Sequence, residues 1–116
     1  MANLEVKLTI SGNVISDATD ISFTNNIGVS NDVAIQRVTC PTGGVQIFDT
    51  ARGKSYVYIK NNDTETVTIE SAASGGVQYM SLEQNEFAYF PWAGTAALYA
   101  IGADATAAIE IGIFEN

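Results

Sequence analysis

Residues 55–70 read SYVYIKNNDTETVTIE, and this stretch indicates the class of fold more clearly than any other part of the chain. Its first six residues combine Tyr, Val and Ile, which are residue types enriched in strands. Further on, Val67 and Ile69 alternate with threonine and glutamate, a period of two that places apolar side chains on one face of a strand. The stretch therefore predicts two strands joined by a hairpin turn at residues 61–63, because Asn and Asp tolerate left-handed dihedral angles.

The same alternation, bounded by turn residues, recurs along the rest of the chain. In the N-terminal segment, the apolar residues Leu4, Val6, Leu8 and Ile10 alternate with polar or charged residues. Further strands are predicted over 33–38, 45–48, 77–82, 86–90, 96–101 and 107–114. Residues 14–32 are polar, so we expect a long loop there, with a short strand around Ile21 and Phe23. The rhythm predicts an all-β fold of about nine or ten short strands, in an antiparallel β-sandwich or a barrel.

Composition narrows both the domain count and the range of functions. The length of 116 residues predicts a single domain over 1–116. Because the chain has no histidine and a single cysteine, Cys40, it has no Ser-His-Asp triad, imidazole zinc site or internal disulfide. The 13 acidic and 5 basic residues give a net charge of −8, which disfavours nucleic acid as a partner. The N-terminus lacks an apolar signal segment and the apolar stretch 87–103 is interrupted by Pro and Gly, so we expect no secretion signal and no membrane partner.

A few acidic and amide side chains are candidates for chemistry. Oxygen ligands suited to Ca²⁺ occur at Asn61, Asn62, Asp63 and Glu65, and further acids occur at Asp17 and Asp20. Glu83 and Glu86 form a carboxylate pair of the kind that hydrolyses glycosides. The first set lacks the glycine and loop length of an EF-hand, and the pair flanks Gln84-Asn85 as turn residues do. We therefore expect ordinary turns, with no catalytic, cofactor-binding or metal-binding residue, no cofactor, and a buried or incidental thiol at Cys40.

The uncharged stretch 87–103 begins with the aromatic sequence FAYFPW. Alternation places Phe87 and Tyr89 on one face of a strand, and Phe90 and Trp92 on the other face. Pro91 cannot donate a hydrogen bond to a neighbouring strand, so we expect this strand at a sheet edge or a bulge. Two interpretations remain open: a central strand pair buried on both faces, or a subunit interface rich in aromatic residues. The predicted interface residues are Phe87, Tyr89, Phe90, Trp92, Ala97 and Tyr99.

The second half of the chain resembles the small β-sandwich structural proteins of tailed bacteriophages. The resemblance covers roughly residues 55–116 and rests on three segments: YVYIKNNDTETVTIE, GGVQYMSLEQNEFAYFPW and ALYAIGADATAAIEIGIFE. In that family a segment of the form Leu-x-Pro-Gly-Glu usually precedes an aromatic or apolar strand. Here residues 82–86 read Leu-Glu-Gln-Asn-Glu, so the Pro and Gly are missing.

The resemblance implies an antiparallel β-sandwich of the jelly-roll type. It also implies a non-enzymatic role in the virion, as a capsid decoration or cement protein, a head spike or a tail-fibre accessory domain. Its implied partners are further copies of itself, as a homotrimer, and the major capsid protein or another virion protein. A protein made in the host cytoplasm and carried on the virion fits the absent signal segment. Two other classes stay open: a carbohydrate- or receptor-binding module with Trp92 and Tyr89 as its platform, and a small enzyme.

Overall fold

The computed structural model describes residues 2–14 and 17–116. Within these ranges there are ten strands and no helix, and so no helix that is long and apolar enough to cross a membrane. The contacts divide the chain into two compact units between Ser30 and Asn31, and each unit is described by itself. The strands are β1 (Ala2–Val14), β2 (Asp17–Val29), β3 (Asn31–Thr39), β4 (Val45–Phe48), β5 (Ser55–Asn61), β6 (Val67–Glu70), β7 (Gln78–Leu82), β8 (Phe87–Trp92), β9 (Leu98–Gly102) and β10 (Ala108–Glu115).

The first unit is a long antiparallel hairpin. Its strands, β1 and β2, have 13 residues each and pair from Ala2 with Val29 to Val14 with Asp17. The prediction of a long loop over 14–32 is therefore wrong. The Asn, Thr and Ser residues of β2 occupy ladder positions opposite β1, and cross-strand pairing extends the strand beyond the part that its own composition favours.

The second unit is an antiparallel β-sandwich made of two four-stranded sheets. The front sheet has the order β3-β10-β5-β8, and the back sheet has the order β4-β9-β6-β7. This is the eight-stranded jelly-roll arrangement, and it confirms the predicted all-β sandwich. Consecutive strands alternate between the sheets except β6 and β7, which pair as a hairpin. The turn between them contains Gly75, whose φ of 71° favours glycine.

The connection at residues 61–63 joins the two sheets and is not a hairpin turn. β5 pairs with β8 and β10, whereas β6 pairs with β7 and β9. The hairpin prediction is wrong because period-two alternation identifies the two faces of a strand but not its neighbours.

The core fills the space between the inner faces of the two sheets. Its side chains include Phe48, Val57, Ile59, Val67, Ile69, Leu98, Ala100, Ile109, Ile111 and Ile113. Phe90 and Trp92 of β8 pack against its margin. β8 is the last strand of the front sheet, which confirms the predicted edge position of Pro91.

Candidate interaction surface

The outer surface of the front sheet is dominated by aromatic side chains. The strand register places Tyr58 of β5 between Tyr89 of β8 and Gly112 of β10. One step along, Tyr56 lies between Pro91 and Phe114. Ile35 of β3 approaches the same surface, since a Cβ on Gly112 would lie 3.0 Å from Ile35 Cγ1 and 3.2 Å from the Phe114 ring. We call this surface the aromatic face; its residues are Ile35, Tyr56, Tyr58, Phe87, Tyr89 and Phe114.

The outer surface of the back sheet has a different chemistry. Its register aligns Gln46, Tyr99 and Glu70 across β4, β9 and β6, and aligns Ile101, Thr68 and Ser81 across β9, β6 and β7. Four of these six side chains are polar or charged, so this surface is suited to contact with water. The aligned rows of the back sheet are therefore more polar than the aromatic face, although Val77 and Tyr79, at β7, are also exposed.

Ring contacts and polar neighbours fix the geometry of the aromatic face. The rings of Tyr56 and Tyr89 have centroids 6.0 Å apart and planes inclined by only 13°. The Lys54 ammonium lies 5.7 Å from the centroid of the Tyr56 ring. The Tyr58 hydroxyl donates a hydrogen bond of 3.0 Å to Glu110 Oε1. The tyrosines are thus held in defined positions, and cation–π and charge-assisted contacts restrict their movement.

Exposure distinguishes this surface from an ordinary sheet exterior. Phe87 and Ile35 are each 58% exposed, although both are large and apolar. The other four members are half-buried beside them. A contiguous apolar surface with exposed large side chains marks an interaction site more often than it marks plain exterior.

Tyr58 and Tyr89 of the aromatic face stay neutral at physiological pH. The pKa of Tyr58 is raised by burial first, and then by its hydrogen bond to Glu110 and by the charge of that carboxylate. The pKa of Tyr89 is raised by burial and by the neighbouring Tyr56. The Tyr89 hydroxyl oxygen is itself buried, with no hydrogen-bond partner among the described residues. The rings of Tyr58 and Tyr89 are therefore uncharged at this surface.

The structure separates the predicted interface residues into three places. Phe87 and Tyr89 belong to the aromatic face, whereas Phe90 and Trp92 point inward against the core. The rings of Phe90 and Trp92 meet edge to face with centroids 5.8 Å apart, and Trp92 Nε1 donates to the Ala96 carbonyl at 2.8 Å. In the back sheet, Ala97 directly precedes β9 and Tyr99 lies on its outer surface. The six residues therefore do not form one surface.

The strand order excludes one of the two interpretations of residues 87–103, and the subunit interface stays a prediction. A central strand pair buried on both faces is wrong, because β8 is an edge strand of the front sheet and β9 is a central strand of the back sheet. The sugar platform predicted from Trp92 and Tyr89 is not assembled, since these residues lie on opposite faces of β8.

The sequence pattern does not identify four members of the aromatic face: Ile35, Tyr56, Tyr58 and Phe114. A signal for two of them exists in β5, where Tyr56 and Tyr58 alternate with the core residues Val57 and Ile59. A strand with large apolar side chains on both faces needs a partner on each side. Nothing in the alternation shows that β8 and β10 flank β5 and complete the surface.

The candidate metal-binding and catalytic side chains form hydrogen bonds to backbone groups of the turns and connections around them. Asn61 Nδ2 donates to the carbonyls of Glu65 and Leu82, each at 2.8 Å, and its Oδ1 accepts from Asp63 N at 2.8 Å. Glu86 Oε1 accepts from Glu83 N at 2.7 Å, within the β7–β8 turn. In the described part of the chain no cluster of three or more acidic or thiol side chains has the spacing for a metal ion. The side chains of Asp17 and Asp20 lie outside the described residues.

A small cavity opens between β3 and β4, at the edge opposite β8. It has a volume of about 270 Å³, and its floor is formed by Val38, Ile47, Phe48, Ile111 and Ile113. Arg52 and Asp49 line its rim. Asp49 Oδ1 accepts from Ala51 N at 2.9 Å, and Arg52 Nη1 lies 3.9 Å from Glu115 Oε2. The rim of the cavity therefore contains one carboxylate, that of Asp49, which already accepts a hydrogen bond within its own turn, and it contains no carboxylate pair.

Cys40 is fully buried beside the sandwich core. Burial raises the pKa of its thiol to about 11, because a thiolate loses its hydration there. The thiol is therefore protonated and unreactive at neutral pH.

The comparisons with known proteins bring no match that bears on the aromatic face. No family model, curated protein or solved structure matches this chain.

Proposed function

We propose that this protein is a non-enzymatic structural subunit of a virion, a capsid decoration protein that binds the head lattice through its aromatic face. It acts there as a homo-oligomer. The observation that carries the proposal is the aromatic face itself, in which six large side chains form one outer surface of a sheet. The choice of a phage particle follows the sequence resemblance over residues 55–116.

The composition of the aromatic face suits protein contact. Aromatic residues are enriched at protein interfaces, where Tyr and Trp account for much of the binding energy. Lys60 and Glu110 lie in the same row as Phe87, and Lys54 lies beside Tyr56, so polar groups border the rings. An apolar centre with a polar border is the usual anatomy of a specific interface.

The polar outer surface of the back sheet sets the orientation of the subunit on the particle. With the aromatic face against the lattice, Thr68, Glu70 and Ser81 face the solvent. The net charge of −8 then keeps neighbouring particles apart. Viral capsid domains and lectins also have jelly-roll folds, and this support for the proposal is an analogy of fold alone.

The test compares two variants that place a charge on an exposed apolar side chain. Phe87→Glu alters the aromatic face, and Val77→Glu is the control, since Val77 is 66% exposed and precedes β7 of the back sheet. Co-sedimentation with particles from the source should show at least tenfold weaker binding for Phe87→Glu, about 1.4 kcal/mol, and wild-type binding for Val77→Glu. Mass spectrometry of the purified particle should find the chain in a fixed copy number. Equal binding of the three proteins, or absence from the particle, rejects the proposal.

The second candidate function is binding of a carbohydrate or a host receptor glycan. The near-parallel rings of Tyr56 and Tyr89 favour it, because flat aromatic surfaces stack on sugar rings, with Glu110 nearby as a hydrogen-bond acceptor. A glycan array distinguishes the two functions. A specific glycan whose binding is lost in Tyr89→Ala would place this function first, whereas the decoration proposal predicts no glycan binding.

A further inference from the structure

The cavity between β3 and β4 lies on the side of the sandwich where each sheet ends in one of these edge strands. Its volume of about 270 Å³ is close to the lower limit of sites that hold small molecules. Five apolar residues line it: Val38, Ile47, Phe48, Ile111 and Ile113. Because these side chains give a water molecule no hydrogen-bond partner, the floor of the cavity favours hydrocarbon over water.

Irregular pairing in both edge strands shapes this cavity. β4 pairs with β9 at Gln46 and again at Phe48, so that Ile47 is an extra residue in the ladder. As a result, Ile47 and Phe48 are both buried although they are adjacent in a strand. In β3, residues 34 and 35 together lie opposite Gly112 of β10. Such bulges bend a strand and redirect its side chains, and they are over-represented at sheet edges and next to active sites.

The opposite side of the sandwich is closed by aromatic side chains. There, Tyr79 of β7 and Trp92 of β8 meet edge to face, with ring centroids 5.6 Å apart. Between β3 and β4, the exposed side chains of Gln36 and Gln46 line the cavity instead. Because protein interiors are close-packed and contain few voids larger than a water molecule, an apolar cavity of this size is unusual in a small domain.

Arg52 brings a hydrogen-bond donor without a partner to this cavity. It is one of the lining residues, and its Nη1 is buried and forms no hydrogen bond among the described residues. Glu115 Oε2 lies 3.9 Å from this nitrogen, beyond hydrogen-bond distance, and Glu115 Oε1 accepts from Gly53 N at 2.8 Å. A buried donor is costly to leave unpaired, so an acceptor oxygen on a bound molecule would be favoured here.

We propose that the cavity binds a small neutral molecule with a compact hydrocarbon body and a carbonyl oxygen, which accepts a hydrogen bond from Arg52 Nη1. The hydrocarbon body packs on the apolar floor. This inference goes beyond the proposed function and depends on no residue of the aromatic face, so either one can fail while the other holds.

The charges around the cavity favour a neutral ligand over a carboxylate. Asp49 lines the cavity together with Arg52, and Glu115 lies 3.9 Å from the guanidinium. Two negative charges therefore surround one positive charge, and a carboxylate ligand would add a third. The net charge of −8 on the whole chain opposes an anion further. The carbonyl of an amide, ester or ketone accepts the same hydrogen bond without this repulsion.

Three soluble probes separate the contributions of the hydrocarbon body, the carbonyl and the charge. Cyclohexanecarboxamide has the ring and a neutral carbonyl, cyclohexanecarboxylate has the ring and a negative charge, and acetamide has the carbonyl without the ring. In NMR titrations of the full chain, cyclohexanecarboxamide should shift the methyl signals of Ile47, Ile111 and Ile113, with a dissociation constant of about 1 mM or tighter. Cyclohexanecarboxylate and acetamide should each bind at least about tenfold more weakly.

Three variants test which side chains hold the probe. Arg52→Met removes the donor and should weaken binding of cyclohexanecarboxamide at least about tenfold. Lys54→Met is the matched control, because it removes an exposed cation nearby in the sequence that lies outside the lining residues, and it should bind as the wild type does. Val38→Phe covers the case in which Arg52→Met disturbs the fold, since it keeps Arg52, occupies part of the cavity and should also weaken binding at least about tenfold.

Several results would overturn the inference. These are the absence of methyl shifts up to about 20 mM cyclohexanecarboxamide, equal binding of the carboxylate, equal binding by Arg52→Met or Val38→Phe, and shifts confined to Ile35 of the aromatic face. Phe87→Glu should bind cyclohexanecarboxamide as the wild type does, so failure here is distinct from failure of the aromatic-face proposal.

Discussion

At the scale of single residues, Asn61 connects three parts of the sandwich. It is fully buried at the end of β5, and its side-chain amide reaches the carbonyls of Glu65 and Leu82. Its backbone N–H donates to the Glu86 carbonyl at 3.0 Å, and its carbonyl accepts from Asn85 N at 2.8 Å. One polar residue thus satisfies the backbone groups of both the β5–β6 connection and the β7–β8 turn.

Replacing Asn61 should therefore be costly. Asn61→Ala leaves two carbonyls and the Asp63 N–H without their partner, and we expect a loss of about 2–4 kcal/mol in the free energy of unfolding. Urea denaturation measures this loss. The matched control is Asn62→Ala, because the half-buried Asn62 amide contacts only Glu110, at 3.5 Å, and should cost under about 1 kcal/mol. Similar losses in the two variants would contradict this role of Asn61.

At the scale of secondary structure, neighbouring chain segments approach the end of β9 so closely that Gly102 has no room for a side chain. A Cβ on Gly102 would overlap the Cys40 carbonyl oxygen and lie 2.8 Å from Ala107 Cβ. The Gly102 N–H also donates to the Pro41 carbonyl at 3.1 Å, so β9 cannot move away without losing a hydrogen bond. The chain segments on either side of β9 therefore pack directly against its backbone.

This packing predicts that Gly102→Ala destabilises the protein while Gly43→Ala does not. For Gly102→Ala we expect a loss of at least about 1–3 kcal/mol, from overpacking of a buried site. A Cβ on Gly43 would meet no heavy atom within 4 Å, so Gly43→Ala should stay within about 0.5 kcal/mol of wild type. Thermal melts of both variants, read beside the wild type, check the difference. An unchanged melting temperature for Gly102→Ala would show that β9 has room to shift.

The elements that the sequence predicts well are those with large apolar side chains in alternation. β5 and β10 fall close to their predicted ranges because Val57, Ile59, Ile109 and Ile111 mark one inward face. β6 begins at Val67 instead of Thr64, because the Asn61 amide holds the Glu65 carbonyl in the connection. β2 is predicted only as a short strand around Ile21 and Phe23, because Asn25 interrupts its apolar alternation and its polar residues are typical of loops.

The candidate site was predicted only in part, for a topological reason. Alternation correctly separates Phe87 and Tyr89 from Phe90 and Trp92. The aromatic face, however, is assembled from β3, β5, β8 and β10, strands that lie far apart in the sequence. Which strands become neighbours depends on the crossing of the chain between the two sheets, and local periodicity carries no information about that crossing.

At the scale of the whole molecule, buried Cys40 and half-buried Tyr58 and Tyr89 have raised pKa values that affect stability at alkaline pH. Burial raises the pKa of Cys40 from 9.0 to about 11, and the pKa values of Tyr58 and Tyr89 are raised above 10.0. In the unfolded chain these groups lose their protons first, so the unfolded state gains stability as the pH rises above 9. Their contribution is complete below pH 9 and is lost as the pH passes through the folded pKa values.

We therefore expect the melting temperature to be steady from pH 7 to about 8.5 and to fall by several degrees at pH about 10. Differential scanning calorimetry over this range measures the change. Cys40→Ala serves as the comparison, since it removes one of the three groups and should reduce the slope above pH 9. A melting temperature that rises between pH 9 and 11 would contradict the assignment.

The position of β10 constrains when the sandwich can form. β10 lies between β3 and β5, and β3 has no other partner in the front sheet. During synthesis, β3 through β9 must therefore wait for residues 108–115 before the front sheet closes, so cooperative folding follows translation of β10. Until then, Val57 and Ile59 lack their β10 neighbours Ile113 and Ile111, and the nascent chain exposes them to chaperones. Pairing over such sequence distances also favours folding in milliseconds to seconds, and truncation within β10 should leave the chain unfolded.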